Sequence, residues 1–583
     1  MIIKNCLKII KKRKNIFLLI FIFLIALSFR VIGLNWDQGN HLNPDERFLT
    51  MVSTDIKLPI NIFQYFDTQK SPLNPANNNY GFFVYGTFPL FLTKFIAVVF
   101  HVDTYDKIYL VGRILSGIFD SFNIIILYFI SKKIFKSKSK IVFLSSIIYT
   151  FSVLPIQLAH FYTVDSFLNF FIILTFCFLC YNRFFLSSIT FGLALACKIS
   201  AVYFCPIIFI FYLLFLFCSK SFKKFLLKAF VFLFGMLAIF RIFQPYAFID
   251  LYHINPLFID NFKTLQSYSG ADTWYPPSIQ WINKVPLLYT LQNITFWGIG
   301  LPIFISFFVL LILFFKKNKI ISLIKKTNPI IFIILAWILL LYFYQGSQFS
   351  HSMRYFLPLY AFVFILFSYF VFILKTPKII LNLILFFHIC WGLLFISIYS
   401  RPHSRVQASQ WIYKNISIGS TITVESWDDA LPITLSSQNF LQQYSLITLN
   451  LYDMDTANKW EKINYDLNSV DYIVMSSNRL WASIPKVPQK YPISTNFYQN
   501  LFDEKLGFKK VNETNSYPGI YISFLNGCYY LGPSNFPYGS KNNKWFSFDP
   551  NCNYPGFYIR DDIAEEAFTV YDHPKVIIFK KIK

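Results

Sequence analysis

Long apolar blocks separated by short basic runs set the pattern of this chain. Blocks of about 17 to 25 residues can cross a bilayer as helices. Such blocks run near 15–34, 108–131, 141–158, 165–182, 184–202, 203–218, 229–246, 295–315, 328–344, 355–374 and 379–399. They predict a polytopic α-helical membrane protein with about 11 transmembrane helices. The pair 184–202 and 203–218 is one almost continuous apolar stretch, broken only by Lys198 and Pro206. Arg30-Val31-Ile32 follows the first block where the small residues of a cleavage site would stand, so that block is expected to remain as an anchor.

The polar positions orient the blocks. The runs Lys4 to Lys14, Lys132 to Lys140, Lys220 to Lys228, Lys316 to Lys326, and Lys375 with Lys378 contain no Asp or Glu. Lys and Arg in short loops stay on the cytoplasmic side. The N-terminus is therefore expected in the cytoplasm of a cell membrane, and an odd number of spans puts the C-terminus outside. Two outer loops follow, 35–109 and 246–293, the first with an apolar piece from Gly81 to Phe100 that lies in the interface or re-enters. From Arg401 hydropathy falls and 17 of the 29 acidic residues appear. Thr421-Ile422-Thr423-Val424 and Tyr472-Ile473-Val474-Met475 read as strands. The organisation expected is thus a transmembrane domain over 1–400 and an extracytoplasmic soluble α/β domain over 401–583.

Composition narrows the class. Of 583 residues 55% are hydrophobic and only 14% charged, which excludes a solvated globule. The net charge of +24 is spread over inner loops, where it reads as topology and contact with the lipid bilayer, so no nucleic-acid partner is expected. Cys177, Cys180 and Cys197 lie in spans as small buried hydrophobes, and Cys528 and Cys552 could pair in an oxidising compartment. No Cys/His spacing resembles a zinc site. No cofactor follows from the sequence, and a divalent metal is left open.

Ionisable residues recur at one face of the expected bundle. Asn43-Pro44-Asp45-Glu46-Arg47 comes directly after the first span and also makes an ordinary helix start, with Asn as cap, Pro at the first position and acids in the first turn. Neighbouring helix residues point about 100° apart, so only one of Asp45 and Glu46 can aim at a given substrate atom. Asp165 opens the fourth span, Lys198 closes the fifth and Arg354-Tyr355 starts the tenth. Each has a plain explanation as cap, snorkelling lysine or interfacial anchor. Together, ionisable groups at one depth of a bundle mark a functional site.

Read in order, the acidic pair after the first span, Tyr85-Gly86-Thr87-Phe88-Pro89-Leu90, Gly112-Arg113, Asp165, Lys198, Gln244-Pro245-Tyr246 and Arg354-Tyr355 resemble the polyprenyl-phosphate-dependent glycosyltransferases. These include the protein O-mannosyltransferases and the aminoarabinose transferases. The resemblance covers about residues 15–400 and rests on order and topology. It implies a GT-C-like membrane fold and a sugar donor carried on an isoprenoid phosphate. The acceptor is left open between a protein hydroxyl, a lipid and an envelope glycan. A polyprenyl phosphate leaves as a stable anion, so one base taking the acceptor proton suffices for inversion. By resemblance Asp45 is that base, with Glu46 and Asp165 beside it in the catalytic set. Arg47, Lys94, Lys198, Arg354 and Tyr355 form the substrate-binding set, whose cations steady the departing phosphate. The aminoarabinose enzymes carry a Lys just before the Pro of the re-entrant segment, where this chain has Thr87-Phe88-Pro89, which shifts the phosphate contact toward Lys94 and Lys198. Three other readings compete: an oligosaccharyltransferase-like enzyme, suggested by Trp427-Asp428-Asp429, a membrane transporter, and a noncatalytic scaffold. The spans show no inverted repeat, which counts against the transporter.

Overall fold

The computed structural model describes residues 2–135, 140–270, 275–317, 328–435, 443–524 and 564–582, together with the strands 527–531, 533–535, 546–548 and 555–559. The Cys528 and Cys552 pairing lies outside the described side chains. Among the described residues seven helices are long and apolar enough to cross a membrane. Two bent pairs, Lys140–Thr150 with Val153–Ala159 at 55° and Leu288–Ile299 with Leu301–Lys316 at 119°, bring the number to nine if each is one span. The expected segments 165–182 and 184–202 form helices Asp165–Cys180 and Phe184–Cys197, of 16 and 14 residues, short of a full crossing. The apolar piece 81–100 is likewise a short helix, Thr87–Val99.

Burial sorts the helices into centre and rim. Met353–Leu374 has 83% of its apolar window buried and is the hub of the bundle, whereas Phe222–Phe243 has 11% and shows Phe230, Leu233, Phe234 and Leu237 outward. Large apolar side chains facing outward from such helices are the surface a bilayer covers. Inside the bundle, Arg30 and Asp120 are both fully buried and pair at 2.5 Å. The contact ties the first span to helix Tyr105–Ile134.

The C-terminal α/β domain is a five-stranded sheet in the order Ser445–Leu449, Thr421–Glu425, Tyr472–Met475, Val576–Lys581, Phe508–Thr514. The first three strands are parallel and the fourth runs antiparallel to both neighbours. Both predicted strand runs are present. Alternation along them fills two cores, because successive side chains leave a strand on opposite faces. Ile473, Met475, Ile577 and Phe579 pack on Trp460, Ile463, Phe497 and Leu501, and Tyr472, Val474, Val576 and Ile578 pack on Val406 and Ile412.

This domain is built into the membrane domain. Phe568 lies 4.9 Å from the ring of Trp297, and Asp572 accepts from Gln157 at 3.0 Å and from the Tyr399 hydroxyl at 2.9 Å.

Glu425 is buried at the end of the second strand of the sheet and accepts from the Tyr498 hydroxyl at 2.6 Å. Burial pushes its carboxyl up to about 8, and the Tyr498 bond offsets this only in part. An unfolded glutamate titrates near 4.3. Between about pH 4.5 and pH 8 the folded chain therefore holds a proton that the unfolded chain has released, and stability falls as pH rises through that window. Thermal unfolding of the full chain should show Glu425→Gln flattening this fall; an unchanged pH slope would remove Glu425 from it.

Candidate active site at the bundle end

The site begins with one helix start. Asn43 caps helix Pro44–Asp55, accepting from the backbone N–H of Asp45 at 3.0 Å and of Glu46 at 3.2 Å. The cap fixes the first turn, and the turn sends the two carboxylates apart. Glu46 goes inward, where it is fully buried and accepts from Arg113 Nε at 2.9 Å and from the Tyr162 backbone N–H at 2.7 Å. Arg113 also binds Asp37, with Nη2 to Oδ2 at 2.7 Å, and lies 4.5 and 4.7 Å from the rings of Trp36 and Tyr109.

Asp45 points the other way, toward Arg354, with which it forms an ion pair. Arg354 stands in a single tight turn, Met353–Phe356, that opens helix Leu357–Leu374. Lys198 sits where the backbone goes extended between Phe184–Cys197 and the turn that follows. Freed from the helix by that break, its Nζ reaches Asp165 at 2.9 Å and lies 5.2 Å from the Tyr355 ring. Gly86 lets the outer loop approach: an added Cβ would stand 2.0 Å from the Ala196 carbonyl oxygen. This close approach puts Tyr85 beside Asp45. Burial alone would raise the Asp45 carboxyl, but the Arg354 guanidinium, then Lys198 and the Tyr85 hydroxyl, hold it below the usual carboxylate range.

Two cavities meet at the Asp45 and Arg354 pair. The inner one, about 280 Å³, has Asp165 and Lys198 at its polar end and runs along Leu168, Ile172, Trp337 and Leu341. The outer one, about 550 Å³, is walled by Tyr268, Tyr275 and Gln280 of the second outer loop and by Glu565, Glu566 and Tyr571 of the C-terminal domain. Asp45, Tyr85, Arg354 and Tyr355 line both.

Of the residues singled out from sequence, Asp45, Asp165, Lys198, Arg354 and Tyr355 come together here. Glu46, Arg47 and Lys94 do not line either cavity. Glu46 is spent on Arg113. Arg47 crosses to Asp429 at 2.6 Å and to the His41 carbonyl at 3.0 Å. Lys94 is buried against Asp103 at 3.2 Å and the Thr54 carbonyl at 3.3 Å. Thr87 donates its N–H to Gln244 Oε1 at 2.7 Å. No group of three or more His, Cys, Asp and Glu side chains that could hold a metal forms among the described residues.

Sequence reasoning missed the C-terminal contribution. Glu565 accepts from the Ser352 hydroxyl and from the Met353 N–H, both at 2.5 Å, and so grips the turn that carries Arg354. Burial pushes its carboxyl up to about 7, against those two hydrogen bonds and Arg354. Glu566 is held by Arg479 and by Gln280 Nε2 at 2.9 Å. The acidic run before the last strand, with Asp561, Asp562, Glu565 and Glu566, was the available signal.

No family model matches the chain, and no curated protein matches it. Solved structures similar to it include ArnT from Cupriavidus metallidurans bound to undecaprenyl phosphate, at 11% identity and TM-score 0.43, over 80% of this chain and 94% of that one. Another is the oligosaccharyltransferase AglB from Archaeoglobus fulgidus with an inhibitory peptide and a dolichol-phosphate, at 11% identity and TM-score 0.48, over 89% and 74%. A third is the A. fulgidus oligosaccharyltransferase with Zn and sulfate, at 14% identity and TM-score 0.48, over 88% and 72%.

If Glu46 and Arg113 form the buried brace of the site, removing the cation leaves two buried carboxylates unpaired. Arg113→Ala should then cost about 3 to 5 kcal/mol. The check is the thermal midpoint of the detergent-solubilised chain, and a midpoint within a degree or two of wild type would refute the brace.

Proposed function

We propose that this chain transfers a sugar, with inversion, from a polyprenyl-phosphate donor to an acceptor hydroxyl at the outer face of a cell membrane, its N-terminus cytoplasmic and its 401–583 domain outside. The observation that carries this reading is the inner cavity, which joins two cations, Lys198 and Arg354, to a long apolar wall. That combination suits a ligand with an anionic head and a hydrocarbon tail. The phosphate sits between Lys198 and Arg354, and the isoprenoid lies along Leu168, Ile172, Trp337 and Leu341. Lys198 has three N–H donors and Arg354 five, so each can keep its carboxylate and still reach a phosphate oxygen.

The acceptor enters from the outer cavity. Its oxygen forms the new bond to the anomeric carbon as the bond from that carbon to the phosphate oxygen breaks. The electron pair leaves on the phosphate and the acceptor proton passes to Asp45. Asp45 is ionised at neutral pH because of Arg354 and is free to take that proton. Phosphate drawing on the same guanidinium weakens its hold on Asp45 and makes it a stronger base as the donor binds.

A positioned base contributes roughly a hundred- to ten-thousand-fold. Asp45→Asn should lower transfer by that order in a protein that still folds, and Lys198→Ala should raise KM for the donor more than it lowers kcat, with Lys198→Arg keeping part of the loss at bay. The measurement is transfer by the purified chain from a polyprenyl-phosphate sugar and from a nucleotide sugar. Activity with the nucleotide sugar alone sinks the reading.

Glu565 adds a pH dependence. Ionised, it accepts from both Ser352 and Met353; protonated, it loses acceptor strength at the turn that aims Arg354. Transfer should therefore fall as pH drops through about 7, and Glu565→Gln should flatten that acidic limb. An acidic limb of the same midpoint in the variant would exclude Glu565 as its source.

A further inference from the structure

The outer cavity differs in chemistry from the inner one. Among the described residues its charged lining is Asp45, Glu565, Glu566 and a lone cation, Arg354, which is already paired with Asp45. Arg354 balances Asp45 and Arg479, behind the lining, balances Glu566, which leaves Glu565 as the charge in excess, so an anionic acceptor is disfavoured there relative to a neutral one. The lining also contains no residue of any described strand. A peptide that binds by strand addition takes main-chain hydrogen bonds from a sheet edge, and no described strand edge lines the cavity.

What the cavity does offer is flat aromatic rings beside amides. The rings of Tyr268 and Tyr275 stack at 5.8 Å with 17° between their planes, Phe82 continues the row 5.8 Å from Tyr268, and Trp427 meets Tyr275 edge-on at 5.6 Å. Trp427 is 42% exposed and holds φ at +72°, a left-handed backbone that is uncommon and costly for a bulky residue. The next two residues keep it there: Asp428 pairs with Arg405 at 2.5 Å, and Asp429 with Arg405 and with Arg47 at 2.6 Å. An exposed aromatic ring is thus held against Tyr275, itself part of the cavity lining. Gln280 gives its amide N–H to the Glu566 carboxylate at 2.9 Å, which fixes the orientation of the amide, and its buried Oε1 has no hydrogen-bond partner among the described residues. A buried acceptor left unpaired is costly and calls for a donor from a ligand.

We infer that the outer cavity is a binding site for an uncharged carbohydrate, so that the acceptor is a neutral glycan. Sugar C–H faces lie on the rings of Tyr268, Tyr275 and Trp427, and a sugar hydroxyl donates to Gln280 Oε1. Rings supply sequence-tolerant apolar contact while amides and carboxylates read hydroxyls, the division of labour usual in ligand pockets. Naming this ligand the acceptor rests on the transfer reading above; the carbohydrate site itself rests on the cavity.

The test uses the full chain in lipid nanodiscs, probed with an array of neutral and acidic oligosaccharides and with an array of Ser- and Thr-containing peptides. Neutral oligosaccharides should bind, their acidic counterparts at least about ten-fold more weakly, and the peptides not measurably. Tyr275→Ala and Gln280→Leu should each weaken the neutral ligands about ten-fold or more, with Trp427→Ala, at an exposed position, as the variant least able to disturb folding. Binding of peptides alone overturns the inference in favour of a protein acceptor. Binding of no oligosaccharide, or of acidic ones as tightly as neutral ones, also overturns it. Polyprenyl-phosphate binding is measured on the same discs: if it is absent while neutral oligosaccharides bind, the transfer reading fails and the carbohydrate site stands.

Discussion

Two carboxylates on adjacent residues of one helix start cannot share a partner, and the site is organised around that constraint. Once Asn43 fixes the turn, one of Asp45 and Glu46 must face protein and the other the cavity. A buried carboxylate has to be paired, and Arg113 supplies the pair while also holding Asp37 and lying against Trp36 and Tyr109. This brace fastens the outer loop to helix Tyr105–Ile134 and to the Phe161-Tyr162 turn. Asp45 then has little freedom of its own. Its direction follows from its neighbour's burial, which is why the pair matters more than either member.

The C-terminal domain completes the same arrangement from the other side. Arg47, two residues beyond Asp45, reaches Asp429, which Arg405 also holds. Glu565 grips the turn bearing Arg354, and Phe568 and Asp572 root the segment in the bundle. Both members of the Asp45 and Arg354 pair are therefore positioned jointly by bundle and domain. Arg47 itself lines neither cavity.

Much of this was legible in the chain. Hydropathy blocks located the helices because lipid demands long apolar runs, and short runs rich in β-branched and aromatic residues located Thr421–Glu425 and Tyr472–Met475, the latter buried on both faces of the sheet. The clustering of Asp165, Lys198 and Arg354 followed from topology, since all three stand at span ends on one side. What the sequence did not disclose has physical causes as well. Lys94 is as apolar in context as Lys198, and only the fold reveals that Asp103 sits within reach of one and Asp165 of the other. Asp165–Cys180 and Phe184–Cys197 read as full spans because the apolar sequence continues through turns. Glu565 and Glu566 lie more than 200 residues from the turn and loop they touch, and no local pattern announces so distant a contact.

Charge sorts the two cavities. In the inner one Lys198 and Arg354 balance Asp45 and Asp165, so an anionic head adds a single negative charge to a balanced set with donors to spare. In the outer one the lining carries Asp45, Glu565 and Glu566 with Arg354, and Arg479 behind it pairs with Glu566, so among the described residues one carboxylate is in excess. An anion entering from outside is repelled there and stabilised only past the shared pair. A neutral hydroxyl compound would have no such preference for depth, and the rings of Tyr268 and Tyr275 in the outer lining suit it. The Arg354 guanidinium stands at the junction and lines both cavities. On the reading proposed above, phosphate on its inner side would loosen Asp45 toward the outer side and so strengthen the proton acceptor when both reactants are in place.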